Sequence, residues 1–172
     1  MHIAFVEESQ HETLIDLMHE MCVFYSEEDP VSRDDLRSNL VDNLLSPDSA
    51  VRLVVAAGDD GQAVGFAAIA LLHSLVDPVP QRRGQLLLKE LYVRQSHQAR
   101  GVGRALMAWV ARHALERGCA RMDWHVSASN RQALAFYRSL GAVHVAGRLS
   151  YRLTGDYMAR LSDGDAHEDA DA

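Results

Sequence analysis

A chain of 172 residues with 48% apolar composition is long enough for one domain with a sizeable core. Its 24 acidic against 17 basic residues, a net charge of -7, argue against nucleic acid as the main partner, because phosphate backbones need a clustered positive face. The N-terminus lacks a basic, apolar leader, and no stretch approaches the roughly eighteen apolar residues of a membrane helix, so a cytoplasmic protein without a membrane partner is expected.

In chain order, residues 2–6 alternate like a short strand. Ser9 and Glu12 fit a capping box that opens a helix. Its apolar residues Leu14, Leu17, Met18, Met21 and Cys22 form one stripe through about Phe24. Pro30 breaks that pattern. A second helix starts after Ser32, carries Leu36, Leu40 and Leu44, and ends before Pro47. Residues 51–57 and 62–72 read as a hairpin turning on Gly58 to Gly61. A loop through residues 73–84 follows, then a strand over 85–93. The spacing of Leu106, Val110 and Ala114 predicts a helix over 103–117, stopped by Gly118. A strand over 120–126 comes next, then a helix capped by Asn130 and terminated by Gly141. Residues 142–146 and 148–153 read as a closing hairpin around Gly147, and 157–161 as one more helical turn. The expected organisation is a single domain over residues 1–161 and an acidic, disordered tail over 162–172.

Cys22 and Cys119 lie in periodic apolar segments and read as buried thiols of a reducing compartment. Nine histidines show no metal-ligand spacing, so no metal is expected.

The chemistry concentrates between strand and helix, at Gln98-Ala99-Arg100-Gly101-Val102-Gly103. Backbone N–H groups from Gln98 to Ala105, at the start of a helix, can converge on a pyrophosphate, with Arg100 and Arg104 flanking the glycines. The dinucleotide fingerprint needs a third glycine where this chain has Leu106, and no Gly-Lys-Ser/Thr exists for a P-loop.

Taken with Leu91-Tyr92-Val93 before it, and with Asn130 and Ala133-x-x-Phe136-Tyr137-x-x-x-Gly141 after it, this turn resembles the motifs of the GCN5-related N-acetyltransferases (GNAT) in order and spacing. The resemblance covers nearly residues 2 to 160 and looks closest to the diamine and polyamine branch. It implies an α/β (α+β) fold with a mixed, mostly antiparallel sheet flanked by helices, acetyl-CoA as co-substrate, an amine acceptor and a homodimer. Leu91 and Val93 are then expected to offer main-chain groups to the pantetheine arm, and Gln98 to Ala105 to hold the pyrophosphate. Asn130 would touch the cofactor arm, Arg138 a phosphate, and Tyr137 would be the general acid toward the departing thiolate.

The base is read from the residues. Glu90 lies within an apolar strand, where desolvation raises a carboxyl pKa, while alternation sends Lys89 to the opposite face. A water relay or a plain structural salt bridge at Glu90 are the competing readings. Tyr25, Glu27, Glu28 and Asp29, with Asp77 in the later loop, offer negative charge to a cationic amine or are a solvated acidic face. Of Trp124 and His125, one lines the site and one the core. Neither cysteine lies in the motifs, so direct attack in a ternary complex is expected. A non-catalytic acyl-CoA sensor, or an acyltransferase acting on a hydroxyl or using a longer acyl chain, are the alternatives.

Overall fold

Five strands, β1 (His2–Phe5), β2 (Arg52–Ala57), β3 (Ala63–His73), β4 (Gly84–Val93) and β5 (Cys119–Trp124), build one sheet, in which β2 and β3 are nearly continuous apolar runs buried on both faces. The computed structural model describes residues 1–25, 31–76, 79 and 81–163. Strand order follows chain order, β1 to β4 antiparallel and β5 parallel to β4. The expected mixed, mostly antiparallel sheet is therefore present. The chain forms two compact units, Met1–Leu134 and Ala135–Ala172, and the first holds the whole sheet.

Period-2 burial gives that sheet two apolar faces. Leu53, Val55, Phe66, Ala68 and Tyr92 pack against Leu14, Ile15, Leu17 and Met18 of α1 (His11–Tyr25), Leu36 of α2 (Arg33–Ser38) and Leu40 of the turn that follows α2. The opposite face receives α3 (Val102–Glu116), whose Leu106 and Val110 are fully buried. Truncating any one of these fully buried leucines to alanine removes about 2–5 kcal/mol.

Two local devices differ from the sequence expectation. The turn before α1 is closed by Gln10, whose side-chain Oε1 accepts from the Glu7 N–H at 3.0 Å, rather than by Ser9 and Glu12. Glu7 is the residue in extended conformation there, and only such a residue can cap. Helix α2 is capped as expected, Ser32 Oγ accepting from the Asp35 N–H at 3.1 Å. It then widens into a π-helical turn over Asn39–Leu44, closed by the Leu45 N–H on the Leu40 carbonyl.

The second unit carries the last turns of α4 (Arg131–Ser139), with Gly141 at φ 86 ending that helix as expected, and α5 (Gly155–Ser162). The closing hairpin is absent: residues 142–154 form no strand. Val143, Leu149 and Tyr151 have the required alternation but are 87%, 80% and 88% exposed. An apolar face with nothing to cover leaves strand pairing without its main support. No described helix is long and apolar enough to cross a membrane.

A Cβ built on Gly84 would lie 2.5 Å from the Gly118 carbonyl oxygen, a backbone atom, where β4 and β5 begin to pair. Gly84→Ala is therefore expected to destabilise the fold by roughly 1–3 kcal/mol, measured by denaturant unfolding.

His113 on α3 is buried, stacked on Trp109 at 5.3 Å and edge-on to Phe5 at 5.2 Å. Burial, then Arg117 and Arg52, push its pKa below the ordinary histidine value, against the pull of Glu116. The unfolded chain therefore takes up the proton first, so stability is lost as pH falls below about 6.5. Denaturation across pH 5 to 7.5 should show that loss, and His113→Gln should flatten it.

Candidate functional site

The site begins where a strand loses its neighbour. β4 pairs with β5 only from Gly84↔Cys119 to Leu88↔Trp124, yet continues five residues further to Val93. The Arg94 N–H donates to the Val64 carbonyl at 2.9 Å, and the Tyr92 carbonyl sits beside Gly65, so residues 92 and 94 direct their main-chain groups toward β3. Alternation then aims those of Leu91 and Val93 at the side that β5 has left. The Val93 carbonyl accepts there from Gln98 Nε2 at 3.0 Å.

A bulge helps to set this orientation. Register moves from Ala68↔Glu90 to Ile69↔Leu88, leaving Lys89 as an extra residue. Glu90 and Leu88 therefore lie on opposite faces, and simple alternation between Lys89 and Glu90 does not hold. Partial burial raises the Glu90 pKa above the ordinary carboxyl value, and the neighbouring Lys89 charge lowers it by less.

Beyond β4, a 3₁₀ turn over Gln95–His97 leads into the glycine loop. Ala99 at φ 57 and Gly101 at φ 86 are both left-handed, with Arg100 between them. Successive N–H groups in such a path line a concave nest for an anion. Nothing lies within 4 Å of a Cβ placed on Gly101, so conformation rather than space requires glycine there. The Ala105 N–H already donates to the Gly101 carbonyl at 2.9 Å. It is thus the first rung of α3, and those of Val102, Gly103 and Arg104 precede the helical ladder. The Gln98 N–H is also engaged, with the Gln95 carbonyl at 3.3 Å. Of the N–H groups expected to converge here, those of Gln98 and Ala105 are thus already engaged by backbone carbonyls. Arg100 and Arg104 are exposed.

Asn130 caps α4, its Oδ1 accepting from the Ala133 N–H at 3.0 Å, which leaves its amide NH₂ as a donor. Gln132 Nε2 reaches Gln98 Oε1 at 3.4 Å. Tyr137 and Arg138 belong to the second unit; the Tyr137 ring lies 5.2 Å from that of Phe136.

On the α1 side of the sheet, Tyr25 and Glu90 come together. Burial and then the Glu90 charge push the Tyr25 hydroxyl above its ordinary pKa. Trp124 is brought to Leu88 by register, hence to the face opposite Glu90. Glu27, Glu28, Asp29 and Asp77 lie outside the described residues. Two contributors were missed in the sequence. Gly65 lets α3 approach β3, since a Cβ there would meet the Tyr92 oxygen at 3.0 Å and the Leu106 and Val102 side chains at 3.2 Å; a glycine inside a strand is the signal for such an approach. Glu20 of α1 reaches Tyr92 and Gln95, and nothing in helical periodicity marks it.

Residues 14–142 match the model of the acetyltransferase (GNAT) family. The chain is 32% identical over 108 residues to a streptothricin acetyltransferase of Streptomyces lavendulae, covering 63% of this chain and 53% of that protein. It is 34% identical over 108 residues to an aminoglycoside N(6')-acetyltransferase of Stenotrophomonas maltophilia, covering 63% and 69%. The chain thus spans about half the length of the first of these relatives. Among solved structures, an integron cassette protein from the mobile metagenome of V. cholerae superposes with a TM-score of 0.84 at 28% identity, covering 94% of this chain and 96% of that one.

Gly101→Ala places a Cβ on a left-handed residue at a cost of roughly 1–2 kcal/mol. The expected outcome is an unfolding midpoint lowered by about 2–4 °C per kcal/mol of that strain, checked by thermal denaturation.

Proposed function

Because the chain belongs to the GNAT acetyltransferase family, we propose that it transfers an acetyl group from acetyl-CoA to a primary amine by direct attack in a ternary complex. The observation that carries this reading is the unpaired edge of β4, with Leu91 and Val93 facing outward, running directly into the left-handed nest of Ala99 and Gly101. A strand edge accepts an amide-bearing arm as it would another strand, and a nest at a helix start accepts a pyrophosphate. The residues present therefore fit coenzyme A. When bound, acetyl-CoA supplies an activated thioester.

The remaining steps belong to this chain. Leu91 and Val93 hold the pantetheine arm, residues 99–103 hold the pyrophosphate, and Arg100 and Arg104 add positive charge; a phosphate contact from Arg138 rests on the family motif alone. Asn130 donates its amide to the arm. The Val93 N–H stabilises charge developing on the carbonyl oxygen. Glu90 takes the proton that an amine carries near neutral pH, a role its raised pKa suits. Tyr137 gives its hydroxyl proton to the departing sulfur, a role that rests on the motif it shares with the family. Tyr25, beside Glu90, and the acidic residues Glu27 and Glu28 attract a cationic acceptor. The two antibiotic acetyltransferases it resembles are named for amine-bearing acceptors, which supports a cationic small molecule here. A reducing cytoplasm and a homodimer complete the proposal.

The test is thiol release from acetyl-CoA against a panel of polyamines, amino acids, aminoglycosides, lysine peptides and matched alcohols. Turnover with amines alone is expected; turnover with alcohols, or none, counts against the proposal. Tyr137→Phe and Glu90→Gln should each lower kcat by about 10²- to 10⁴-fold. In the wild type, kcat/KM should fall as pH drops through the Glu90 pKa, above the ordinary carboxyl range, and Glu90→Gln should lose that limb.

A further inference from the structure

One carboxylate outside every motif sits at the junction of the two halves of this site. Glu20 Oε1 accepts from the Tyr92 hydroxyl at 3.2 Å and from the Gln95 N–H at 3.0 Å, and its Oε2 lies 3.4 Å from Arg94 Nε. Arg94 Nε is buried, without a hydrogen-bond partner among the described residues, so the Glu20 charge is what offsets its burial. The last buried side chain of β4 and the two residues that leave the sheet thus converge on one side chain of α1.

The location gives the contact its meaning. After Val93 the chain turns out of the sheet, and the His97 N–H closes on the Arg94 carbonyl at 2.8 Å. Two residues after His97 comes Ala99, a non-glycine residue held at φ 57. Such a conformation persists only where its surroundings over-determine it. Glu20 fixes the near end of this turn at residues 92, 94 and 95. The Gln98 side chain fixes the far end on the Val93 carbonyl at 3.0 Å. Tyr25, whose phenol feels the Glu90 charge, is carried on the same helix five residues beyond Glu20. Two hydrogen-bond donors and the Arg94 charge already engage Glu20, which distinguishes it from Glu90 as the group facing an acceptor.

We infer that Glu20 is a positioning residue that ties the start of the anion loop and the end of β4 to α1, holding the cofactor edge and the Tyr25–Glu90 side in one register. The inference rests on the acetyltransferase reading for its kinetic consequence, but its structural consequence stands apart from it.

The experiment pairs hydrogen exchange with kinetics on the full chain. Glu20→Ala is expected to speed exchange at residues 95–101 about tenfold and to raise KM for acetyl-CoA by about the same factor, the size of a lost hydrogen bond to a charged group. The KM for the amine should rise less. Glu20→Gln keeps an acceptor for Tyr92 and Gln95 but not the charge opposite Arg94, and should fall between wild type and Glu20→Ala in both readouts. If Glu20→Ala does not fold, Glu20→Gln decides: raised exchange and raised KM support the inference, and wild-type values overturn it. A lowered unfolding midpoint with wild-type exchange at residues 95–101 and unchanged KM also overturns it, because Glu20 is then only a stabilising contact. If the wild type binds no coenzyme A, the acetyltransferase reading fails, and exchange at residues 95–101 alone decides the role of Glu20.

Discussion

The end of strand pairing at Leu88 and Trp124 is the constraint on which the site depends. A strand inside a sheet normally spends its main-chain groups on two neighbours, and an unmatched polar edge there is a liability unless something covers it. Here β4 keeps β3 on one side to its last residue and loses β5 on the other. The main-chain groups of Leu91 and Val93 are left facing outward from a rigid support. The bulge at Lys89 brings this about: one extra residue turns Glu90 and Tyr92 onto the α1 face and sets the direction of every later main-chain group. The face that Glu90 takes and the direction of the main-chain groups at residues 91 and 93 thus depend on one irregularity.

The nest after β4 depends on the same support. Left-handed conformations at Ala99 and Gly101 are costly for an isolated loop, and this one is fastened at both ends. Gly65 contributes by absence of a side chain, letting the first turn of α3 lie close on β3, with Val102 and Leu106 in contact range. The helix start that presents the N–H groups is therefore placed by apolar packing. The anion site proposed there would draw on the N–H groups and dipole of a helix's first turn.

Much of this was legible in the residues and some was not. Apolar periodicity located the buried stripes of α1 and α3, because those patterns record burial directly. Gly101 marked the loop, since its left-handed conformation favours glycine. The bulge at Lys89 was not legible, because a bulge is a property of pairing and carries no residue signature. The capping box was assigned to Ser9 and Glu12 rather than Glu7 and Gln10, as two overlapping patterns fit and only backbone conformation separates them. The hairpin over residues 142–153 failed because alternation shows what a strand needs without supplying a surface to cover. Glu20 was invisible because long-range polar contacts have no local pattern.

The most direct test of the β4 edge and the nest as one coenzyme A track is a backbone-resolved NMR titration of the protein with coenzyme A. The largest amide shifts are expected at Leu91, Val93 and residues 99–103, the positions where main-chain groups face outward or line the nest. Saturable binding whose shifts leave Leu91, Val93 and the nest unchanged would contradict the assignment.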